Sequence, residues 1–253
     1  MKKFLTVVAL TCCLAGCLTS DKVSGYSSKE VDKVMSIVVN DECLSYRLYF
    51  PLDMDENDPL RDGKLSLCVF LHDRMSGAFV GLDKIVAYVN DNHVKAAVLA
   101  PILPNGADWS DSDIIQHLNT TIQDILLKGT NLIDPNRVYL TGFGSGGRGV
   151  WTYALAHPEV PATIAPVCGG YLAIRTTKYP VISDKFDYMN IWAIDYIDNR
   201  HTTTDLAKSI MSQVWSHNIA LARYSVIPHG GFTDDIYSDM SFLGWIFNTR
   251  RAQ

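Results

Sequence analysis

The sequence predicts one α/β domain, a mostly parallel central sheet with helices on both faces. Three observations predict it. Continuous apolar runs such as Leu65 to Leu71 and Ala96 to Ala100 read as strands buried on both sides. Stretches of helical apolar spacing lie between such runs, most clearly Ile114, Ile115, Leu118, Ile122, Ile125 and Leu126. Strands that alternate with helices imply parallel pairing, since each crossover helix returns the chain to the same end of the sheet. The 253 residues are enough for one such domain with a substantial core. Neither an internal repeat nor a second domain is legible.

In chain order, Val34 to Val39 and Leu44 to Phe50 read as strands joined by Asn40-Asp41-Glu42, with Pro51 ending the second. Asp53 to Lys64 is a charged loop. The apolar run from Leu65 opens into His72-Asp73-Arg74. Asp83 to Asn92 reads as a helix, and the strand Ala96 to Ala100 is stopped by Pro101. A turn carrying Trp109 leads to a helix over Ser112 to Leu127, with Ser110 or Ser112 as its N-cap. Val138 to Leu140 reads as a short buried strand and Val150 to His157 as a helix ended by Pro158. Strands follow at Thr163 to Cys168 and Ile191 to Ile194, the latter running into Asp195-Tyr196-Ile197-Asp198-Asn199. Thr204 to His217 reads as a helix, Ala222 to Ile227 as the last strand, and Phe242 to Arg250 as the closing helix. Pro228-His229-Gly230-Gly231-Phe232 sits at the end of that last strand.

Residues 1–16 read as a lipoprotein signal peptide, 17–30 as a lipidated tether and 31–253 as the folded domain. Lys2-Lys3 is a basic start, and Phe4 to Ala15 is an apolar stretch too short to span a bilayer comfortably. It ends in Leu14-Ala15-Gly16-Cys17, which resembles a bacterial lipobox. That resemblance implies cleavage before Cys17 and lipid attachment to it; the alternative is an ordinary signal peptide with a chance cysteine. Leu18, where an acidic residue would signal retention, implies outer-membrane sorting. The expected location is therefore the bacterial cell envelope, with the membrane reached through the lipid on Cys17. A formal net charge of −5 gives no reason to expect a nucleic-acid partner. Cys43, Cys68 and Cys168 remain beyond the leader, an odd number without metal-ligand spacing. No disulfide, metal or cofactor is expected.

The most informative stretch is Val138-Tyr139-Leu140-Thr141-Gly142-Phe143-Gly144-Ser145-Gly146-Gly147. Strand, glycine turn and helix form the setting of a nucleophile elbow, in which glycines two residues before and after the apex let strand and helix pack closely. Gly142 and Gly146 place Gly144 at the apex, where no nucleophile exists. A register slipped by one residue would bring Ser145 there, but it puts Phe143 where a small residue is wanted and wastes Gly142. Gly142-x-Gly144-x-x-Gly147 also matches a dinucleotide fingerprint. It lies past mid-chain, however, and Ala162 to Gly170 lacks the acidic residue that fingerprint needs.

From about Leu44 to Arg250 the chain resembles the α/β-hydrolases. The likeness is to the esterase branch that includes polyhydroxybutyrate-depolymerase-like and feruloyl-esterase-like proteins and the "predicted peptidases" of bacterial lipoproteins. Ile133-Asp134-Pro135-Asn136-Arg137-Val138-Tyr139-Leu140-Thr141-Gly142 is the most specific stretch. Trp151, His157-Pro158, Val167-Cys168-Gly169-Gly170 and Ile191-Trp192-Ala193 continue it. The resemblance implies the fold and four functional positions. Gly144 stands where the family has its serine, and Asn199 where it has its acid, with Asp198 one residue away. His229 matches the histidine. Asp73 replaces a glycine in the loop after His72, beside the oxyanion, where a carboxylate would oppose developing negative charge. Alternatively Asp73 caps the next helix or pairs with Arg74. His72, Asp73 and Ser145 are the candidate oxyanion-loop residues. The expected function is that of a degenerate, non-catalytic binding or accessory protein for an ester or glycan ligand. The alternatives are an active carboxylesterase using Ser145, His229 and Asp198, and a purely structural envelope protein.

Overall fold

The central strand of the protein is built from Leu65–Leu71, and every residue in it is buried. Such a strand needs cover on both faces and hydrogen-bonded neighbours on both edges. The computed structural model, which describes residues 35–37, 43–52, 63–74, 79–169, 186–197, 204–217, 220–227 and 235–251, supplies both. Its strands are β1 (Met35–Ile37), β2 (Tyr46–Tyr49), β3 (Leu65–Leu71), β4 (Ala96–Pro101), β5 (Ile133–Phe143), β6 (Thr163–Val167), β7 (Asn190–Tyr196) and β8 (Ala222–Ile227). Its helices are α1 (Leu82–Asp91), α2 (Ser112–Lys128), α3 (Ser145–Ala156), α4 (Thr204–His217) and α5 (Met240–Asn248), with a 3-10 turn at Asp235–Ser238.

The strands form one sheet in the order β1-β2-β4-β3-β5-β6-β7-β8. β2 runs antiparallel to β1 and β4, and the remaining pairs are parallel. Side chains alternate across the sheet. On one face Leu67, Val69 and Leu71 pack with Ile115 and Leu118 of α2, Val150 and Trp151 of α3, and Met211 of α4. On the other, Cys68, Phe70 and Tyr139 pack with Ile85 of α1 and Phe242 and Ile246 of α5. The mostly parallel sheet with helices on both faces is the one the sequence predicts. Cys68 and Cys168 are buried in the second of these layers. No helix among the described residues is long and apolar enough to cross a membrane.

Several boundaries differ from the sequence reading. β5 runs from Ile133, well before Val138. Leu65 pairs with Ile133 and Leu67 with Val138, so Asp134 to Arg137 bulge out of the ladder. Pro135, which cannot donate to a ladder, is tolerated inside that bulge. α3 starts at Ser145 rather than Val150, because its glycines are helical residues pressed onto the sheet. The N-cap of α2 is Asp111, neither Ser110 nor Ser112. Ser110 instead gives its N–H and O–H to Asp108. β7 extends through Asp195 and Tyr196, which pair with Val226 and Ile227 of β8. α1 and α5 begin at Leu82 and Met240, one and two residues before their predicted starts.

Candidate active site

β4 lies on one side of β3 and β5 on the other, so the chain changes winding direction at β3. In open α/β sheets, ligands bind at such a switch, outside the C-terminal strand ends. Two segments meet there: His72-Asp73-Arg74 after β3, and Gly144-Ser145 after β5.

Gly144 alone turns the chain from strand to helix, at φ 58° and ψ −119°. An L side chain is strained at that positive φ, and glycine is not. The turn is held by the Gly144 N–H donating to the Val167 carbonyl at 3.0 Å. Close packing fixes its place. A Cβ on Gly142 would lie 2.6 Å from the Leu71 carbonyl oxygen, and one on Gly146 would collide with the same atom. The apex is therefore residue 144. The backbone does not take the slipped register, and Ser145 is the first residue of α3.

Ser145 is fully engaged. Its N–H donates to Oδ1 of Asp73 at 3.0 Å, and its hydroxyl donates to the same oxygen at 2.8 Å. The hydroxyl also accepts from the Arg74 N–H at 2.6 Å. In a hydrolase of this architecture the N–H after the nucleophile is an oxyanion donor. Here a carboxylate of the chain already sits on it. Asp73, only 8% exposed, points into the elbow rather than pairing with Arg74. It does cap a helix, but that helix is α3, which follows β5, and not the next one in the chain.

Arg74 turns instead to Asp108, 3.4 Å away, which Arg148 of α3 approaches at 2.5 Å. Burial pushes the Asp108 carboxyl up. Two hydrogen bonds from Ser110 and the Arg148 and Arg74 charges outweigh that and hold it below its ordinary value. Asp108 and Arg148 escape sequence reasoning; the Asp-x-Ser turn at Asp108 to Ser110 is the signal that points to the first of them.

His72 is a structural histidine by its contacts. Nε2 accepts from the Leu103 N–H at 3.1 Å, and Nδ1 lies 3.2 Å from the Asp73 carbonyl. Only the neutral tautomer protonated at Nδ1 satisfies both. The ring is wedged between Phe79, 4.8 Å away, and Trp109, 5.5 Å away. Burial lowers its pKa, the nearby Arg47 charge adds to that, and the Asp73 carbonyl and carboxylate oppose it. Trp109 is fully buried and Phe79 is 8% exposed, and both belong to the core.

β7 contributes Asp195, which is buried and accepts the Tyr224 O–H at 2.9 Å. Burial pushes its carboxyl up, against the Tyr224 hydrogen bond and the Lys208 charge. The apolar run in the sequence stops at Ile194, one residue short of Asp195, whereas the strand includes it. Among the described residues, no three His, Cys, Asp or Glu side chains converge as metal ligands. His229, Asn199, Asp198, Phe232 and Cys17 lie outside the described residues.

No family model and no curated protein matches the sequence. Solved structures match the fold. A thermostable esterase superposes with a TM-score of 0.65 at 22% identity over 87% of this chain, which spans 64% of that protein's length. A fluorophosphonate-binding serine hydrolase of Staphylococcus aureus, solved with substrate bound, gives 0.63 at 13% identity, covering 85% of this chain and 98% of that one. A feruloyl esterase module of Clostridium thermocellum, complexed with sinapinate, gives 0.55 at 12% identity, covering 83% and 85%. The sheet order, the tight turn between β5 and α3, and these superpositions agree: the chain has the α/β-hydrolase fold.

Proposed function

We propose that this chain is a lipid-anchored cell-envelope protein that keeps the hydrolase scaffold but serves as a non-catalytic binding or accessory protein, for an ester or glycan ligand. One observation carries the reading. The elbow apex is Gly144, and the adjacent oxyanion donor, the Ser145 N–H, is occupied by Asp73. A glycine offers no nucleophile. A triad with His229 would need the Ser145 proton directed to that histidine, and here it goes to Asp73, which takes the Ser145 N–H as well.

The test is chemical. The purified domain is expected to hydrolyse short-chain p-nitrophenyl esters hardly above background and to take no fluorophosphonate label. Saturable turnover lost in Ser145→Ala, with label mapped to Ser145, would instead establish a carboxylesterase using Ser145, His229 and Asp198. The anchor is tested separately. The Leu14-Ala15-Gly16-Cys17 stretch supports a mature protein that begins at diacylglyceryl-modified Cys17 and fractionates with membranes. Cys17→Ser should abolish lipid labelling, and an unmodified soluble wild-type form would end that part of the proposal.

A further inference from the structure

We infer that Asp73 is a tethered ligand of the elbow: its carboxylate occupies, from within the chain, an anion receptor formed by the N–H and O–H of Ser145. Both donors converge on one oxygen, at 3.0 and 2.8 Å. The Arg74 N–H takes a lone pair of the Ser145 hydroxyl, which leaves the hydroxyl proton to Asp73. Gly144 stands at the N-cap of α3 and has no side chain to cap it. Asp73 supplies the missing cap from 72 residues away in sequence. Asp73 is 8% exposed, so its carboxylate has lost hydration that these donors help to replace.

The receptor depends on the apex being glycine. A Cβ at position 144 would lie 2.8 Å from Oδ1 of Asp73 and 3.0 Å from its Cγ. Positions 73 and 144 are thus one unit. A side chain at 144 and a carboxylate at 73 compete for the same space. The ligand class that fits the vacated receptor is a small monocarboxylate, the chemistry that Asp73 itself presents. This deepens the proposed function but is tested by stability, so the answer does not depend on whether the protein hydrolyses esters.

The experiment is chemical rescue of Asp73→Ala, with formate and acetate as probes. The variant should melt roughly 1–8 °C below wild type, the scale of a lost helix cap in a domain of this size. Formate or acetate should restore part of that loss saturably, beyond sodium chloride at equal ionic strength, and wild type should gain nothing beyond the salt control. Adding Gly144→Ala to Asp73→Ala should abolish the rescue, because the new methyl group fills the vacated space. A folded Asp73→Ala that formate and acetate stabilise no better than chloride overturns the inference. Hydrogen exchange in the wild type gives a second reading that needs no variant. The Ser145 amide should be protected, although the first N–H groups of a helix have no intrahelical partner. Rapid exchange there would also overturn it.

Discussion

The triple variant Asp73→Gly, Gly144→Ser, Asn199→Asp should hydrolyse short-chain esters and take a fluorophosphonate label at position 144. Gly144→Ser alone should do neither. Its Cβ would lie 2.8 Å from Asp73 Oδ1, and the new side chain would sit at φ 58°. Hydrolases hold serine on such a strained turn, at a cost of order 1–3 kcal/mol that the surrounding structure must sustain. Asp73→Gly removes the collision and frees the Ser145 N–H to meet an oxyanion. One such donor is worth about 10²–10³ in kcat. Asn199→Asp lets His229 carry positive charge during attack, and the reverse change costs about 10⁴ in a serine protease. Members of a triad act as a unit, so the triple variant should exceed the product of the single gains. Asp73→Gly also removes a cap worth roughly 0.5–2 kcal/mol, so circular dichroism and melting must accompany the assay. A folded triple variant that stays unlabelled and inactive across ester chain lengths would mean that the site has changed in shape as well as in its reacting groups.

Trp109→Ala should destabilise the protein by about 3–5 kcal/mol. Trp109 is fully buried, donates from Nε1 to the His72 carbonyl at 2.8 Å, and lies where a Cβ on Gly149 would meet it at 2.6 Å. Its removal therefore loosens α3 and the loop after β3 together. The variant should also respond differently to acid. Burial lowers the pKa of His72 in the folded protein, so the unfolded chain binds the proton more readily. The stability from keeping His72 neutral is fully present above the unfolded value of about 6.5 and is lost as pH falls through that value toward the lower folded one. Without Trp109, water reaches the imidazole and its pKa moves back toward the ordinary value. Urea midpoints measured at about pH 8 and pH 5 should then fall less in Trp109→Ala than in wild type. Equal acid losses in the two proteins, or a destabilisation under about 1 kcal/mol, would show that Trp109 does not hold this box together.

Local pattern accounts for what could be read from the chain. Leu65–Leu71, Ala222–Ile227 and Thr204–His217 have the ends that their apolar runs and periodicity imply. The position of the apex was also legible, since the Gly142-x-Gly144-x-Gly146 spacing reports on backbone contacts that leave no room for side chains. What failed was local pattern overruled by distant contacts. The start of α3 is hidden because a glycine run has poor helix propensity by itself, and here the sheet imposes the conformation. The bulge in β5 exists only relative to β3. The direction of Asp73 is not legible in the sequence, because its partner is 72 residues away and the alternative partner, Arg74, is adjacent. Asp108 joins Arg74 and Arg148 across 34 and 40 residues, a pairing that no periodicity encodes.

The glycines behind the elbow have a consequence for how relatives of this chain should be sought. A Cβ on Gly146 would strike the Leu71 carbonyl, one on Gly147 would meet the Val167 carbonyl oxygen at 2.5 Å, and one on Gly169 would run into the backbone of Gly147. Side chains are excluded at these positions whether or not the apex bears a nucleophile. A sequence survey keyed on the glycine signature would therefore gather working and silent members of the fold indiscriminately. Sorting them requires reading two other letters together, the apex and the residue that follows the histidine after β3. A glycine at the first with an aspartate at the second is the spelling by which the proposed non-catalytic reading could be looked for in other chains.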